Sequence, residues 1–389
     1  MKKKLFRGLQ VCLLLAAILY GHGFYLTSFN LKPLKPAGGR EPVQDIQIGN
    51  ARFRLPGDAD VSPFYLEVDP DKGGTGLIRE FFDKSDFVVV REYLDKGPEK
   101  EGKAFSRLME NDFDMNRAKF TEVRREDVSS EFAGLVYEAA FVVTYYEIRD
   151  DRLKKKPTSA GLPEELEKAE QKNLVTGKGY DLIFKMAGGA LHFDKMIYKG
   201  TAIEEREAKK LLLAAAQDFF AYYHWTDVLK PHDIPPTYYL TPGAAIDFSS
   251  VKVGQMYGNI TFTQGKYGKC TISADTYRKN PQWLASHKAD LKKLNIKQRL
   301  MAPVHLIKGF RMARKLEIID NNDYLDYKTY MLFGSRTNTA NLNVGWHRWS
   351  KSGKPNLSVW CSFSPYMADE LPRAFGLWQA VVDSAEFVY

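Results

Sequence analysis

Apolar positions along this chain follow two periods. Ala374, Phe375, Trp378, Val381, Val382 and Ala385 recur at spacings of three and four, with Arg373, Gln379, Asp383 and Glu386 between them, which predicts a closing helix with one apolar side. Upstream, period-two alternation and β-branched or aromatic content predict strands over Arg314 to Ile319, Tyr327 to Phe333, Asn341 to His347 and Leu357 to Phe363. A helix over Pro281 to Leu294 puts Trp283, Leu284, His287 and Leu291 on one face, and three further strands precede it at Thr237 to Thr241, Gly258 to Gln264 and Lys269 to Ala274.

The first half repeats this order. Ile46 to Pro56 alternates around an Asn turn and reads as a hairpin, and a strand follows at Pro63 to Val68. A helix is expected over Ala104 to Met115, two strands between Val128 and Ile148, and a hairpin where Tyr180 to Met186 and Leu191 to Tyr198 flank Ala-Gly-Gly-Ala. Thr201-Ala-Ile-Glu204 is a capping box, and the helix that it opens carries Leu212, Ala215, Ala216, Phe219, Phe220 and Tyr223 along one side as far as His224. The fold class is therefore α+β: two similar antiparallel-sheet-plus-helix domains in tandem, over 42–230 and 231–389, with Lys230 to Pro236 as the break. Gly73-Gly-Thr-Gly76 lacks the strand, helix and lysine of a phosphate loop and reads as a turn.

What precedes the first domain changes the picture. Lys2, Lys3, Lys4 and Arg7 lead into an apolar run from Val11 to Tyr20, the pattern of an export signal. Residues 1–29 form that segment and 30–41 a Pro/Gly-rich linker. Apolar residues continue to Phe29, so 11–29 is long enough to stay in the inner membrane as an anchor; cleavage is the alternative. Either way the expected compartment is the periplasm. Cys270 and Cys361 fall in two strand-like runs, where they form a disulfide if those strands are neighbours and otherwise remain buried thiols.

The formal charge of +8 is uneven: Asp233 onward nets +8, while Asn30 to His232 nets −4. Such a split reads first as ordinary surface variation; the sharper reading is that the C-terminal half meets an acidic partner, and nucleic acid is disfavoured because the basic residues are scattered and no motif accompanies them. The seven histidines are dispersed, with no metal-ligand spacing, and the chain has no Gly-x-Ser-x-Gly, so neither a metal, a cofactor nor a catalytic residue is expected. Asp320, Asp323 and Asp326 read as a solvated turn, with calcium binding the weaker reading.

Aromatic and charged residues on loops offer a binding surface instead. Trp346, Arg348, Trp349 and Lys351 sit at a strand end and hairpin loop, the Trp-plus-Arg combination enriched in protein-binding hot spots, although Trp346 alternates with Val344 and reads first as core, while Trp349, nearer the turn, reads equally as core or surface. The charged stretch Asp150 to Lys172, with Glu164 and Glu165, is a solvated excursion or a second gripping surface.

The opening strand Asn50-Ala-Arg-Phe-Arg-Leu-Pro56 and the ending Leu377-Trp-Gln-Ala-Val-Val-Asp-Ser384 resemble immunity proteins that protect bacteria against lipase effectors of type VI secretion, specifically those cognate to the fourth family of such phospholipases. The resemblance spans nearly all of Glu41 to Phe387, with Asn50 and Gln379 departing from the pattern. It implies a two-domain inhibitor, monomeric on its own, that clamps a periplasmic phospholipase near its lid without performing chemistry. A membrane-anchored periplasmic enzyme or lipid-handling protein is the alternative from another class, and an envelope scaffold is a third.

Overall fold

The structure, a computed structural model, describes residues 8–18, 32–33, 43–69, 88–95, 101–110, 118–149, 174–197, 205–221, 223–225, 238–247, 255–263, 268–277, 280–307, 311–334, 339–352, 354–367 and 370–387. Contacts divide the chain into an outer unit, Met1–Ser62 with Asn259–Val388, and an inserted unit, Pro63–Gly258. Both are antiparallel sheets with helices laid against them, so the α+β class holds. The boundary does not fall between 230 and 231. Residues 43–62 belong with the C-terminal part of the chain, because their apolar side chains find their partners there.

In chain order the outer unit begins with β1 (Val43–Ile48), β2 (Ala51–Pro56) and β3 (Asp60–Val61). The inserted unit follows with β4 (Phe64–Asp69), β5 (Val88–Leu94), α1 (Lys103–Met109), β6 (Ala118–Asp127), β7 (Glu138–Arg149), β8 (Leu174–Met186), β9 (Gly189–Ile197), α2 (Glu205–Phe220), β10 (Tyr223–Trp225), β11 (Tyr238–Leu240) and β12 (Ala244–Asp247). The chain re-enters the outer unit along β13 (Gln255–Thr263). It continues through β14 (Lys269–Asp275), α3 (Pro281–Ile307), β15 (Arg311–Asp320), β16 (Tyr324–Gly334), β17 (Thr339–Ser350), β18 (Asn356–Met367), α4 (Leu371–Asp383) and β19 (Glu386–Phe387).

Within the outer unit the larger sheet runs β15-β16-β17-β18-β14-β13, and a small sheet runs β1-β2-β19. Period two decides which side chains meet. Trp346, Val344 and Leu342 of β17 point to one side with Val359, Cys361 and Phe363 of β18, and α4 lies over that side. Trp378 is fully buried there: its indole N–H donates to the Val359 carbonyl at 3.3 Å, and its ring meets Tyr330 edge-on at 5.5 Å. Phe53 of β2 completes the layer against Trp346, at 6.4 Å between ring centres. The β1–β2 turn is tight, with Gly49 at φ +63°, where a Cβ would lie 2.6 Å from the Ala274 Cβ. Glycine therefore answers two demands there, a left-handed backbone and close approach to β14.

The register Cys270↔Cys361 between β14 and β18 places the two cysteines opposite each other, and they are bonded. Of the two readings left open by the sequence, the disulfide is the one found.

In the inserted unit the sheet order is β4-β5-β9-β8-β7-β6, with a small sheet β10-β12-β11. One face receives α2, through a cluster of edge-on rings in which Phe184, Phe193 and Phe219 are fully buried. The other receives α1, whose Phe105 and Leu108 pack on Ala140, Val142, Ile183 and Ala190. The two strands expected between Val128 and Ile148 are one, β7; Val128 starts a short 3-10 turn, Ser129–Phe132, that joins it to β6. Helix α1 ends at Met109, short of the expected Met115.

Residues 8–18 are helical. Among the described residues no helix is long and apolar enough to cross a membrane. The 150–172 excursion, with Glu164 and Glu165, most of the 30–41 linker, the 73–76 turn and the Thr201 capping box lie outside the described residues.

Candidate partner-binding surface

The hairpin end that the sequence singled out lies in the outer unit, where β16, β17 and α3 converge. Side chains alternate across β17, so its candidate residues divide between two faces. Trp346 is buried, 3% exposed, in the layer beneath α4. It is a core residue, which takes it out of any binding surface.

Arg348 lies two residues on, on the same face, and donates to both carboxylate oxygens of Asp326 across the β16–β17 ladder, at 2.8 and 2.7 Å. Its guanidinium stands 3.8 Å from the Tyr324 ring centre and 4.0 Å from that of Phe387. A bidentate pair of this kind fixes geometry as well as charge. Lys351 donates from Nζ to Asp320 Oδ1 at 2.6 Å and also reaches the Asn321 carbonyl, while Lys288 of α3 closes on the other oxygen of Asp320. The Asp320 carboxyl is held below its usual range chiefly by Lys288, then by Lys351. Asp320 and Asp326 are thus both paired with cations of the chain itself.

Trp349 points to the opposite face, half-buried against α3: its ring meets Trp283 edge-on at 5.4 Å and His287 at 6.2 Å. His347 lies between Tyr327, stacked at 4.6 Å, and Trp360 at 6.5 Å. Burial, then repulsion from His287, lowers the His347 imidazole to about 4, so it is neutral at pH 7. The hairpin end is therefore preassembled, with cations paired internally and rings interlocked. Among the rings it presents outward are Trp283, 37% exposed, Trp360, 39%, and Phe387, 38%. Sequence periodicity placed Trp283 on the apolar side of α3, where it does meet Trp349. Phe387 carried no signal, because its role depends on β19 returning beside β2.

Solved structures match this chain, the following three among them. Two are the T6SS immunity protein TplEi from Pseudomonas aeruginosa: alone, 14% identical with 89% of this chain and 97% of that one covered and a TM-score of 0.41, and complexed with "L" peptide, 14% identical with 89% and 98% covered and a TM-score of 0.40. The third is the Tle4–Tli4 complex, 13% identical with 89% and 97% covered and a TM-score of 0.39. No protein-family model and no curated protein matches.

The inserted unit holds two buried polar constellations of a different kind. On its α1 face, His192 of β9 and Asp181 of β8 meet at 2.7 Å, with the imidazole 1% exposed and the Tyr93 ring 6.4 Å away. On the α2 face Glu92 of β5 is 2% exposed, with Tyr223 and Thr241 and the Gly243 backbone about its carboxyl, none of them closing to full hydrogen-bond geometry. Burial raises that carboxyl to about 7, partly offset by Thr241, Gly243 and Tyr223. The Tyr223 hydroxyl is pushed up in turn, by burial first and by Glu92 second.

Proposed function

We propose that this chain is a type VI secretion immunity protein that binds and occludes a cognate phospholipase effector in the periplasm, where residues 11–29 tether it to the inner membrane, and that it performs no chemistry of its own. One observation carries the reading. The two stretches that resemble the immunity family, Asn50 to Pro56 and Leu377 to Ser384, lie more than 300 residues apart in sequence and form one structural element. The Arg54 backbone N–H donates to Ser384 Oγ at 2.9 Å, the Arg54 guanidinium pairs with Glu386 at 2.8 Å, and β19 pairs with β2. Motifs that meet in this way share one physical task, closing the outer unit, so their joint presence is a single constraint on the fold rather than two chance likenesses. The preassembled hairpin end supports the reading as well, since occlusion requires a rigid surface and steric bulk rather than a nucleophile.

The test is stoichiometric inhibition. The purified chain, mixed with a candidate phospholipase effector taken from the open reading frames that flank its own, should abolish phospholipid hydrolysis at a one-to-one ratio, and spheroplast fractionation should leave it on the periplasmic side with the membrane. Hydrolysis that continues at a molar excess of the chain would refute the proposal. So would turnover of phospholipid or glycan by the chain alone, which would favour the membrane-anchored enzyme.

A further inference from the structure

Between β6 and β7 the inserted unit makes a short loop, Val128 to Tyr137, whose backbone is tied at each step. Asp127 accepts from the Ser129 backbone N–H at 2.9 Å and from its hydroxyl at 2.6 Å, and the Ala139 N–H donates to the same hydroxyl oxygen at 2.9 Å. The N–H groups of Val128, Glu131, Leu135 and Tyr137 donate to the carbonyls of Ala139, Val128, Phe132 and Lys185, at 2.9 to 3.0 Å. Phe132 is driven into the core, 4.7 Å from Phe184 between ring centres, and Gly134 turns the chain back at φ +81°. Despite this anchoring the loop holds two large apolar side chains out in water: Leu135 is 53% exposed and Tyr137 64%.

Among the described residues, neither of these solvent-facing side chains joins the unit's core. They are what a docking surface needs, because the ordering cost of binding has already been met by the loop's own hydrogen bonds. The loop's own exposed ionisable residue, Glu131, is acidic, as is Asp127 beside it; Glu138 is paired with Lys185 at 2.5 Å and Arg125 of β6 reaches the Met109 carbonyl, while Pro63 to Gly258 nets −6, leaving +14 for the remainder of the chain.

We propose that Leu135 and Tyr137 are the anchor by which the inserted unit seats in an apolar pocket of the phospholipase effector, a pocket rimmed by lysine or arginine. This rests on the immunity reading above. Acidic flanks steer the loop toward a basic rim and repel it from an anionic bilayer, so the occupant is a protein rather than lipid.

The experiment titrates the full chain with the phospholipase that it inhibits in the test above, by calorimetry and surface kinetics. A Leu135→Ala/Tyr137→Ala variant should melt with the wild type and bind about 100-fold more weakly or worse, chiefly through faster dissociation. Leu211→Ala, at an exposed position on α2, should bind as wild type, and Glu131→Lys should slow association and flatten its salt dependence. An intact wild-type complex with a double variant that binds within twofold would overturn the anchor while leaving the immunity reading in place. No binding by the wild-type chain would remove both. Self-association of the wild type that the double variant lacks would assign the loop to a second copy and overturn the proposal.

Discussion

Glu92 and His347 show how far a single side chain's ionisation is set by what the fold places around it. Each is buried in its uncharged form, and the two push stability in opposite directions with pH. The Glu92 carboxyl is raised from 4.5 to about 7, so the stability it contributes is complete below pH 4.5 and is lost as pH rises through 7, by about 3 kcal/mol in all. His347 is lowered from 6.5 to about 4, so stability is complete above pH 6.5 and is lost as pH falls through 4, by about 3 kcal/mol at most. Hydrogen exchange followed by mass spectrometry should therefore show β5 and β9 losing protection from pH 5 to 7, while β16 and β17 lose it from pH 6 to 4. Glu92→Gln should flatten the first trend and leave the second; a first trend that persists in the variant would show that another group sets it. None of this is legible in Val88-Val-Val-Arg-Glu-Tyr-Leu94, because Tyr223 and Thr241 lie far along the chain and only the sheet brings them near. Trp346 is the opposite case: its alternation with Val344 already marks it as core, since period two is a local property.

At the scale of elements, α4 closes the outer unit. Its buried row, Ala374, Phe375, Trp378, Val381 and Val382, is the one that spacings of three and four mark in the sequence, and the fit is good because helical periodicity needs no knowledge of the partner. The partner is what the sequence leaves out. Trp378 meets Tyr330 and Val359, and the residues just beyond it are held to β2 through Ser384 and Glu386. Trp378→Ala removes the largest fully buried side chain and should cost about 3–5 kcal/mol. Denaturation monitored by exchange should place that loss in β16, β17 and β18, with β8 and β9 still protected. Equal loss in both sets would show that the units unfold as one.

The whole chain is one unit inserted into another, with connections at Ser62–Pro63 and Gly258–Asn259. A fragment of residues 63–258 carries its own sheet and both helices that cover it, and should give a cooperative melt by itself. A fragment of residues 231–389 lacks β1 and β2, leaves Trp346 without Phe53 and β19 without β2, and should not. Addition in trans of a peptide spanning 43–62 should restore structure to it. A cooperative melt of the 231–389 fragment alone would show that the small sheet is dispensable. The same division sharpens the charge split from +8 and −4 to +14 and −6, because the basic opening residues join the basic C-terminal part.

Composition and period by themselves determined the α+β class, most strands, the faces of the helices and the asymmetry of charge, since each follows from local chemistry summed along the chain. Tertiary structure decided the rest: that residues 43–62 close the C-terminal unit, that Cys270 stands opposite Cys361, that Arg348 is taken by Asp326, and that Leu135 and Tyr137 remain in water. All four depend on strand register or on sheet partners distant in sequence, and a period of two or 3.6 says which face a residue occupies but never which neighbour that face will meet.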